Sequence, residues 1–342
     1  MDHLLQIRNL RTSFRTEDGT VRAVDDVSFN IRAGEVVGLV GESGCGKTAV
    51  SLSILQLLPT PPAVIEGGEI QFGDRDLLQL NPAQIRKIRG NEIAMIFQEP
   101  MTSLNPVYTI GNQLMETIQL HQKLDASAAK ARAIEMLKLV GIPRADEVID
   151  EYPHRFSGGM RQRAMIAMAL SCNPRLLIAD EPTTALDVTI QAQILELMRE
   201  LRERIGMSIL FITHDLNVIA EMADRVVVMY SGKVVEQADV LTLFHEPKHP
   251  YTQGLIGSRP SADQDTEERQ GGKSRLPFIR GSVPNPLFMP AGCPFHPRCD
   301  HAMPVCSQRM PGYTVMKPGH EVRCWLHESD SADTGDSPEV RA

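Results

Sequence analysis

No stretch of this 342-residue chain approaches the roughly 18 consecutive apolar residues that a membrane-spanning helix requires, which argues against an integral membrane protein. The opening Met1-Asp2-His3-Leu4 lacks the basic region and apolar stretch of a secretory signal, so the expected compartment is the cytoplasm. Positive charge is also short: 35 Lys and Arg stand against 43 Asp and Glu, a net charge of −8. That balance argues against a nucleic-acid partner held by a broad basic face, and against direct adsorption to anionic lipid. Any membrane association is then expected to run through protein contacts. Internal repeats are absent. What is present is ordinary globular composition, 42% hydrophobic and 23% charged, in a chain long enough for two or three domains.

The first 35 residues alternate apolar and polar (Leu4, Ile7, Val21, Val24, Val27, Phe29, Ile31), as half-buried strands do. Residues 35–40 form a short apolar strand that runs into a glycine-rich turn, and 48–58 read as a helix stopped by Pro59-Thr60-Pro61-Pro62. Residues 82–159 are mostly helical in pattern. A second block alternates helix (160–171), strand (176–180), helix (188–204) and strand (208–213), with a further strand at 226–230. Strands alternating with helices predict a parallel sheet covered on both faces. Residues 261–275 are polar and read as a linker, a Pro- and Cys-rich segment of little periodicity follows at 276–328, and the acidic, Ser-rich end 329–342 reads as disordered.

Gly41-Glu42-Ser43-Gly44-Cys45-Gly46-Lys47-Thr48 matches the phosphate-binding P-loop pattern completely, with an apolar strand before it and a helix after it, so Gly41, Ser43, Gly44, Cys45, Gly46, Lys47, Thr48 and Ala49 are the nucleotide-binding candidates. Glycines are needed because side chains would hold the backbone amides away from phosphate oxygens, and those amides with the helix N-terminus form an anion cradle. Lys47 is placed to neutralise the β- and γ-phosphates and Thr48 to ligate Mg²⁺. Leu176-Leu177-Ile178-Ala179-Asp180-Glu181 supplies the second half. Asp180 emerges at the carboxyl end of a buried strand to hold Mg²⁺, and Glu181 beside it is the natural general base for water attacking the γ-phosphate. Asp-Glu after a strand is also a common helix cap, a reading that the P-loop outweighs.

Phe156-Ser157-Gly158-Gly159-Met160-Arg161-Gln162-Arg163, between the P-loop and the acidic strand, resembles the signature sequence of ABC ATPases. The other family elements follow in order: Gln98 in Phe97-Gln98-Glu99-Pro100, Ala185-Leu186-Asp187, and His214 in Ile212-Thr213-His214-Asp215. The resemblance covers roughly residues 4–260. It implies an α/β fold, a P-loop NTPase with a RecA-like parallel sheet, an antiparallel β subdomain and a helical subdomain at about 91–160, carried by an ATPase domain at 1–260. It implies ATP and Mg²⁺ as cofactors, with Gln98 sensing the γ-phosphate or attacking water near the metal and His214 contacting the γ-phosphate, unless His214 merely caps a turn. Within the signature Ser157, Gly158, Gly159 and Met160, Ser157 and Gly159 would bind the γ-phosphate of ATP held by an opposite subunit in a head-to-tail dimer, with Asp187 at that interface. Met160 replaces the usual glutamine, which bears on a ribose or cross-interface contact. Phe14 is the candidate for adenine stacking, or a plain core or surface Phe. Cys45 is either oxidisable or a small neutral filler.

Within the ABC ATPases the chain is most similar to the oligopeptide/dipeptide (and nickel) importer group. The resemblance rests on Met101-Thr102-Ser103-Leu104-Asn105-Pro106, on His249-Pro250-Tyr251-Thr252-Gln253-Gly254-Leu255, and on Gly281-Ser282-Val283-Pro284 with Gly292-Cys293-Pro294 and Pro297-Arg298-Cys299. It implies an ATPase motor at the cytoplasmic face of the membrane, with two permease subunits, a second homologous ATPase (or a second copy) and an extracytoplasmic solute-binding protein as partners. The expected solute is a di- or oligopeptide, with nickel, glutathione or similar as the alternative; a soluble ABC ATPase outside transport is a distant alternative, since those carry fused units or a coiled coil.

Of six cysteines, Cys293, Cys299, Cys306 and Cys324 are spaced by five, six and seventeen residues, looser than zinc-ribbon pairs, while Cys172 reads as a core thiol. In a reducing compartment such clustering favours metal over disulfides. Iron–sulfur, zinc or unligated thiols are all open, and His296, His301, His320 and His327 keep mixed Cys/His zinc possible. Resemblance to group members with a 4Fe–4S cluster in this extension favours iron–sulfur. The expected role is structural, away from the nucleotide motifs.

Overall fold

The N-terminal alternation resolves into two 14-residue strands, β1 (His3–Thr16) and β2 (Gly19–Arg32), paired antiparallel with Phe14 opposite Val21. The computed structural model describes residues 3–98, 103–184, 187–258 and 278–328. The linker at 261–275 and the tail at 329–342 lie outside these residues, as do Glu99, Pro100, Met101, Thr102, Ala185 and Leu186.

The remaining strands are β3 (Val36–Val40), β4 (Ala63–Phe72), β5 (Arg75–Asp76), β6 (Ile93–Ile96), β7 (Leu176–Asp180), β8 (Ser208–Ile212), β9 (Arg225–Tyr230), β10 (Lys233–Asp239), β11 (Thr314–Lys317) and β12 (His320–Val322). Among the described residues they form one sheet of order β2-β1-β4-β5 and one of order β11-β12-β10-β9-β3-β8-β7-β6. The stretch from β9 to β6 is parallel. Its strands are near-continuous apolar runs because helices or a second sheet cover both faces. Period two sorts their residues: Val37 and Leu39 join one core with β1, β2 and β4, whereas Val36 and Val40 join the other with the helices.

The helices are α1 (Lys47–Ile54), α2 (Pro82–Ile88), α3 (Ile110–Gln122), α4 (Ala126–Leu139), α5 (Ala145–Val148), α6 (Gly158–Leu170), α7 (Val188–Ile205), α8 (Leu216–Met222), α9 (Val240–His245) and α10 (Pro250–Gly257). Side-chain caps start several of them: Thr109, Asp125, Ser157 and Asp187 each accept a backbone N–H from the first turn of α3, α4, α6 and α7. The mostly helical reading of 82–159 therefore needs one correction. Ile93–Ile96 is a strand parallel to β7, a four-residue apolar run too short for its period to be read amid helical sequence.

The Cys-rich segment also differs from expectation. It is not set apart from the ATPase fold: β12 pairs antiparallel with β10 through Glu236↔Val322 and Gln237↔Glu321, extending the central sheet. Val322, Phe295 and His320 are buried there. His320 Nε2 lies 2.8 Å from Glu236 Oε1, and both side chains are fully buried. The Glu236 carboxylate also accepts the N–H groups of Lys248 at 2.7 Å and His249 at 2.9 Å. Burial against the sheet thus offsets part of the ordering entropy of a segment with little periodicity of its own.

Candidate nucleotide site

The carboxyl ends of β3, β7 and β8 bring the sequence motifs to one place, as ligand sites in parallel sheets require. β3 delivers the chain to Gly41, and α1 starts at Lys47. Gly41 and Gly46 have φ of +153° and +103°. A Cβ on Gly41 would lie 2.2 Å from the Met229 carbonyl oxygen, and one on Gly46 would lie 2.1 Å from that of Ala23. Both glycines are thus imposed by the backbones of β9 and β2, while a Cβ on Gly44 meets nothing within 4 Å. Ser43, Gly44 and Thr48 are exposed, whereas Cys45, Lys47 and Ala49 are buried. Lys47 Nζ donates to the carbonyls of Gly41 at 2.8 Å and Glu42 at 3.2 Å. Burial pushes the Cys45 thiol up, against the charge of Lys47 beside it.

Asp180 ends β7, 1% exposed, and its Oδ1 has no hydrogen-bond partner. Ser51 Oγ stands 3.4 Å from the other oxygen. Burial above all raises the Asp180 pKa, with the Glu181 charge adding to it, against hydrogen bonding from Thr48 and the charge of Lys47. An orphaned, buried carboxylate oxygen beside a hydroxyl and a phosphate loop is the donor set a hard divalent cation takes, so Asp180 and Thr48 fit Mg²⁺.

Glu181 follows in the left-handed region, φ +49°, a strained conformation for a non-glycine residue. Its carboxylate is a hub. Gln98 Nε2 donates to Oε2 at 3.1 Å, Thr184 Oγ1 donates to the same oxygen at 2.9 Å, and His214 Nδ1 lies 3.1 Å from Oε1. Burial raises the Glu181 pKa, but the hydrogen bonds from His214 and Thr184 outweigh it, and the carboxyl stays below its ordinary value. The structure therefore gathers Gln98, Glu181 and His214, which are 83 and 33 residues apart in sequence, into one hydrogen-bonded set. Thr184 was missed; its place three residues after Glu181 was the available signal.

A family profile described as "ABC transporter" matches residues 24–184, and one described as "Oligopeptide/dipeptide transporter, C-terminal region" matches 235–306. The chain is 52% identical over 324 residues to a probable peptide ABC transporter ATP-binding protein of Sinorhizobium fredii, spanning 95% of each. It is 53% identical over 333 residues to the oligopeptide transport ATP-binding protein AppD of Bacillus subtilis, spanning 97% of this chain and 99% of that one. The chain belongs to the ABC transporter ATP-binding subunits of the oligopeptide/dipeptide family. Among solved structures, the ATP-binding cassette MJ0796, seen as a dimer in a post-hydrolysis state with ADP and Pi, is 27% identical with a TM-score of 0.62. That likeness covers 69% of this chain and 98% of the cassette.

The remaining motifs of this ABC ATPase lie on helix starts. Ser157 caps α6, its Oγ accepting the Met160 N–H at 3.3 Å, and Ser157 and Gly158 are exposed. Gly159 sits close under α7, where a Cβ would meet the Ile190 side chain at 3.1 Å, a tight contact. Gln162, fully buried, donates to the carbonyl of Pro182, tying the signature helix to the loop after Glu181. Asp187 caps α7 through the Ile190 N–H at 2.9 Å. Phe14 is half-buried near the end of β1, paired with Val21 on one side and Ala63 on the other, and packed on the core of the antiparallel sheet. The His249-Pro250-Tyr251 pattern acquires a physical reason: His249 Nδ1 caps α10 by accepting the Tyr251 N–H, and Tyr251 Oη accepts the Glu42 N–H at 2.8 Å.

The free thiols of Cys293, Cys299, Cys306 and Cys324 line one largely enclosed cavity with His249, His296 and His301. Burial pushes the thiols of Cys293 and Cys299 up and that of Cys324 to about 12, with the neighbouring sulfurs adding to it. His320 is engaged by Glu236, and His327 Nε2 bonds the Lys248 carbonyl at 3.0 Å. Among the described residues no group of three or more His, Cys, Asp or Glu side chains is arranged to hold a metal ion, so neither the iron–sulfur nor the zinc expectation finds support in the arrangement.

Proposed function

We propose that this ATPase powers import of di- or oligopeptides. The observation that carries the reading is about 50% identity to peptide and oligopeptide transport subunits over nearly the whole length, C-terminal region included, in a chain whose hydrolytic set is complete. In this reading the P-loop amides and Lys47 bind the β- and γ-phosphates, and Phe14 packs on adenine. Mg²⁺, held by Asp180 and Thr48 with Gln98 nearby, supplies charge neutralisation on the phosphates when bound. Glu181 takes the proton of the attacking water, its carboxylate kept ionised and aimed by His214, Gln98 and Thr184. Ser157, Gly158, Gly159 and Met160 close over the γ-phosphate of a second ATPase subunit in a head-to-tail dimer, with Asp187 at the seam.

Residues 1–260 act as the motor, with a helical subdomain at about 91–160. A groove of about 350 Å³, lined by Leu55, Ile96, Phe97, His121 and Met165 among others, suits a short apolar helix of a permease. No described helix is long and apolar enough to cross a membrane, and the acidic net charge disfavours anionic lipid, so placement at the cytoplasmic face depends on two permease partners. An extracytoplasmic binding protein selects the solute. The assembled transporter should show ATPase activity stimulated by peptide-loaded binding protein; stimulation by another solute class and none by peptides would refute peptide import.

The four-cysteine cavity is the finer question. Thiols are the soft donors that a 4Fe–4S cluster or zinc takes, but these four are not arranged in the structure to hold either. Iron, sulfide and zinc analysis of anaerobically purified protein decides between them, and absence of all three rejects both.

A further inference from the structure

Glu42, the second residue of the P-loop, is held on every polar group. Its N–H goes to Tyr251 and its carbonyl accepts from Lys47. Its carboxylate meets a residue 256 positions away: Arg298 Nη1 donates to Oε2 at 2.7 Å and Nη2 to Oε1 at 3.0 Å, a two-pronged pair. The Arg298 side chain is only 5% exposed. Its guanidinium lies 5.8 Å from the Tyr230 ring centroid and 5.9 Å from that of Phe295, and Nε donates to the Arg280 carbonyl at 2.9 Å. A second piece of the same extension arrives independently. Val283, Pro284, Asn285 and Met289 share one cavity with Ser43 and Gly44 of the P-loop and with Val21 and Ala23 of β2.

The chemistry gives this pairing a purpose. A carboxylate inside a loop built to hold a triphosphate repels that ligand unless its charge is neutralised. An arginine fork neutralises it and also fixes its direction, which a lysine point charge does less well. We propose that Arg298 is a positioning residue for ATP binding: by clamping and neutralising Glu42 it holds the P-loop in its phosphate-binding shape, making the C-terminal extension part of the nucleotide site. The segment expected to stand apart from hydrolysis is in this account one of its supports.

The proposal rests on the P-loop being the ATP cradle; absence of ATP binding in the parent chain would sink that reading instead. The test is equilibrium ATP binding and steady-state hydrolysis by the full-length chain. Arg298→Met should raise both Kd and KM for ATP on the order of tenfold, a usual size for coupled sites, with kcat at saturating ATP retained. Glu42→Gln placed on top of Arg298→Met removes the unpaired charge and should recover most of that affinity, which a purely structural role for Arg298 would not produce. Protease protection of residues 278–328 reports whether the extension stays docked. Unchanged Kd in Arg298→Met with the extension docked overturns the proposal, and so does a double variant that binds no better than the single. Should Arg298→Met fail to fold, Arg298→Lys keeps the charge and loses the fork; a smaller rise in Kd supports the clamp and no rise overturns it.

Discussion

Replacing Gly46 by Ala isolates the claim that the P-loop's shape, and not only its composition, makes the site. At φ +103° an L-residue is strained by about 1–3 kcal/mol. The new Cβ would lie 2.1 Å from the Ala23 carbonyl oxygen, and reaching an ordinary contact of 3.4 Å needs a shift of about 1.3 Å. Relief is costly because the neighbours are tied together: the Gly232 N–H donates to the Cys45 carbonyl at 2.9 Å, and the Asp25 N–H donates to the Gly232 carbonyl at 2.8 Å. The loop must therefore move; misplacement by about 1 Å costs on the order of 10²-fold in rate where geometry is critical, and a loss of similar size is expected in phosphate binding. Thermal or denaturant unfolding with and without ATP measures it. At ATP 100 times the parent Kd, the parent gains about 2.7 kcal/mol, and a variant bound about 100-fold more weakly gains only about 0.4 kcal/mol. Gly34→Ala is the control, since Gly34 has φ +74° with nothing within 4 Å of its Cβ. It should lose stability from strain while keeping the full ATP effect. Equal ATP protection in Gly46→Ala and the parent would refute the steric argument.

Two further outcomes follow from the same geometry. Glu181→Gln should retain ATP binding and lower hydrolysis by about 10²–10⁴-fold, because the amide cannot take the water's proton; near-normal turnover with any partner site inactivated would remove Glu181 from that role. Burial pushes the pKa of His249 from 6.5 to about 3, so between those values the unfolded chain carries a proton that the folded chain lacks. Its contribution is complete above about pH 6.5 and is lost as pH falls toward 3, up to a few kcal/mol; denaturant titrations at stepped pH should show this slope, and His249→Asn, which keeps a capping acceptor, should flatten it.

Local signals made much of the site legible. The P-loop glycines and the apolar strand ending in Asp180-Glu181 each declare themselves within ten residues, and β3, β7 and β8 fall where the runs of apolar residues put them. Convergence on Glu181 was readable only through family resemblance, since nothing in the spacing of Gln98 and His214 says they meet. What stayed hidden depends on partners far apart in sequence. Glu42 with Arg298, and Glu236 with His320, are separated by 256 and 84 residues, and no periodicity reports a pair that only the folded sheet brings together. The extension's short strands, β11 and β12, were invisible for a related reason: their order comes from the edge of β10 and not from their own pattern.

In the proposed function, ATP bound at this P-loop drives solute movement through a membrane partner. The most direct measurement is uptake of a labelled oligopeptide into vesicles containing the complete transporter, with ATP on the side of this subunit, comparing the parent with Lys47→Ala. Lys47 is the buried cation of the loop, so its loss should remove ATP binding here and abolish ATP-driven uptake while assembly with the permeases is kept. Undiminished peptide uptake by the Lys47→Ala transporter would contradict the account.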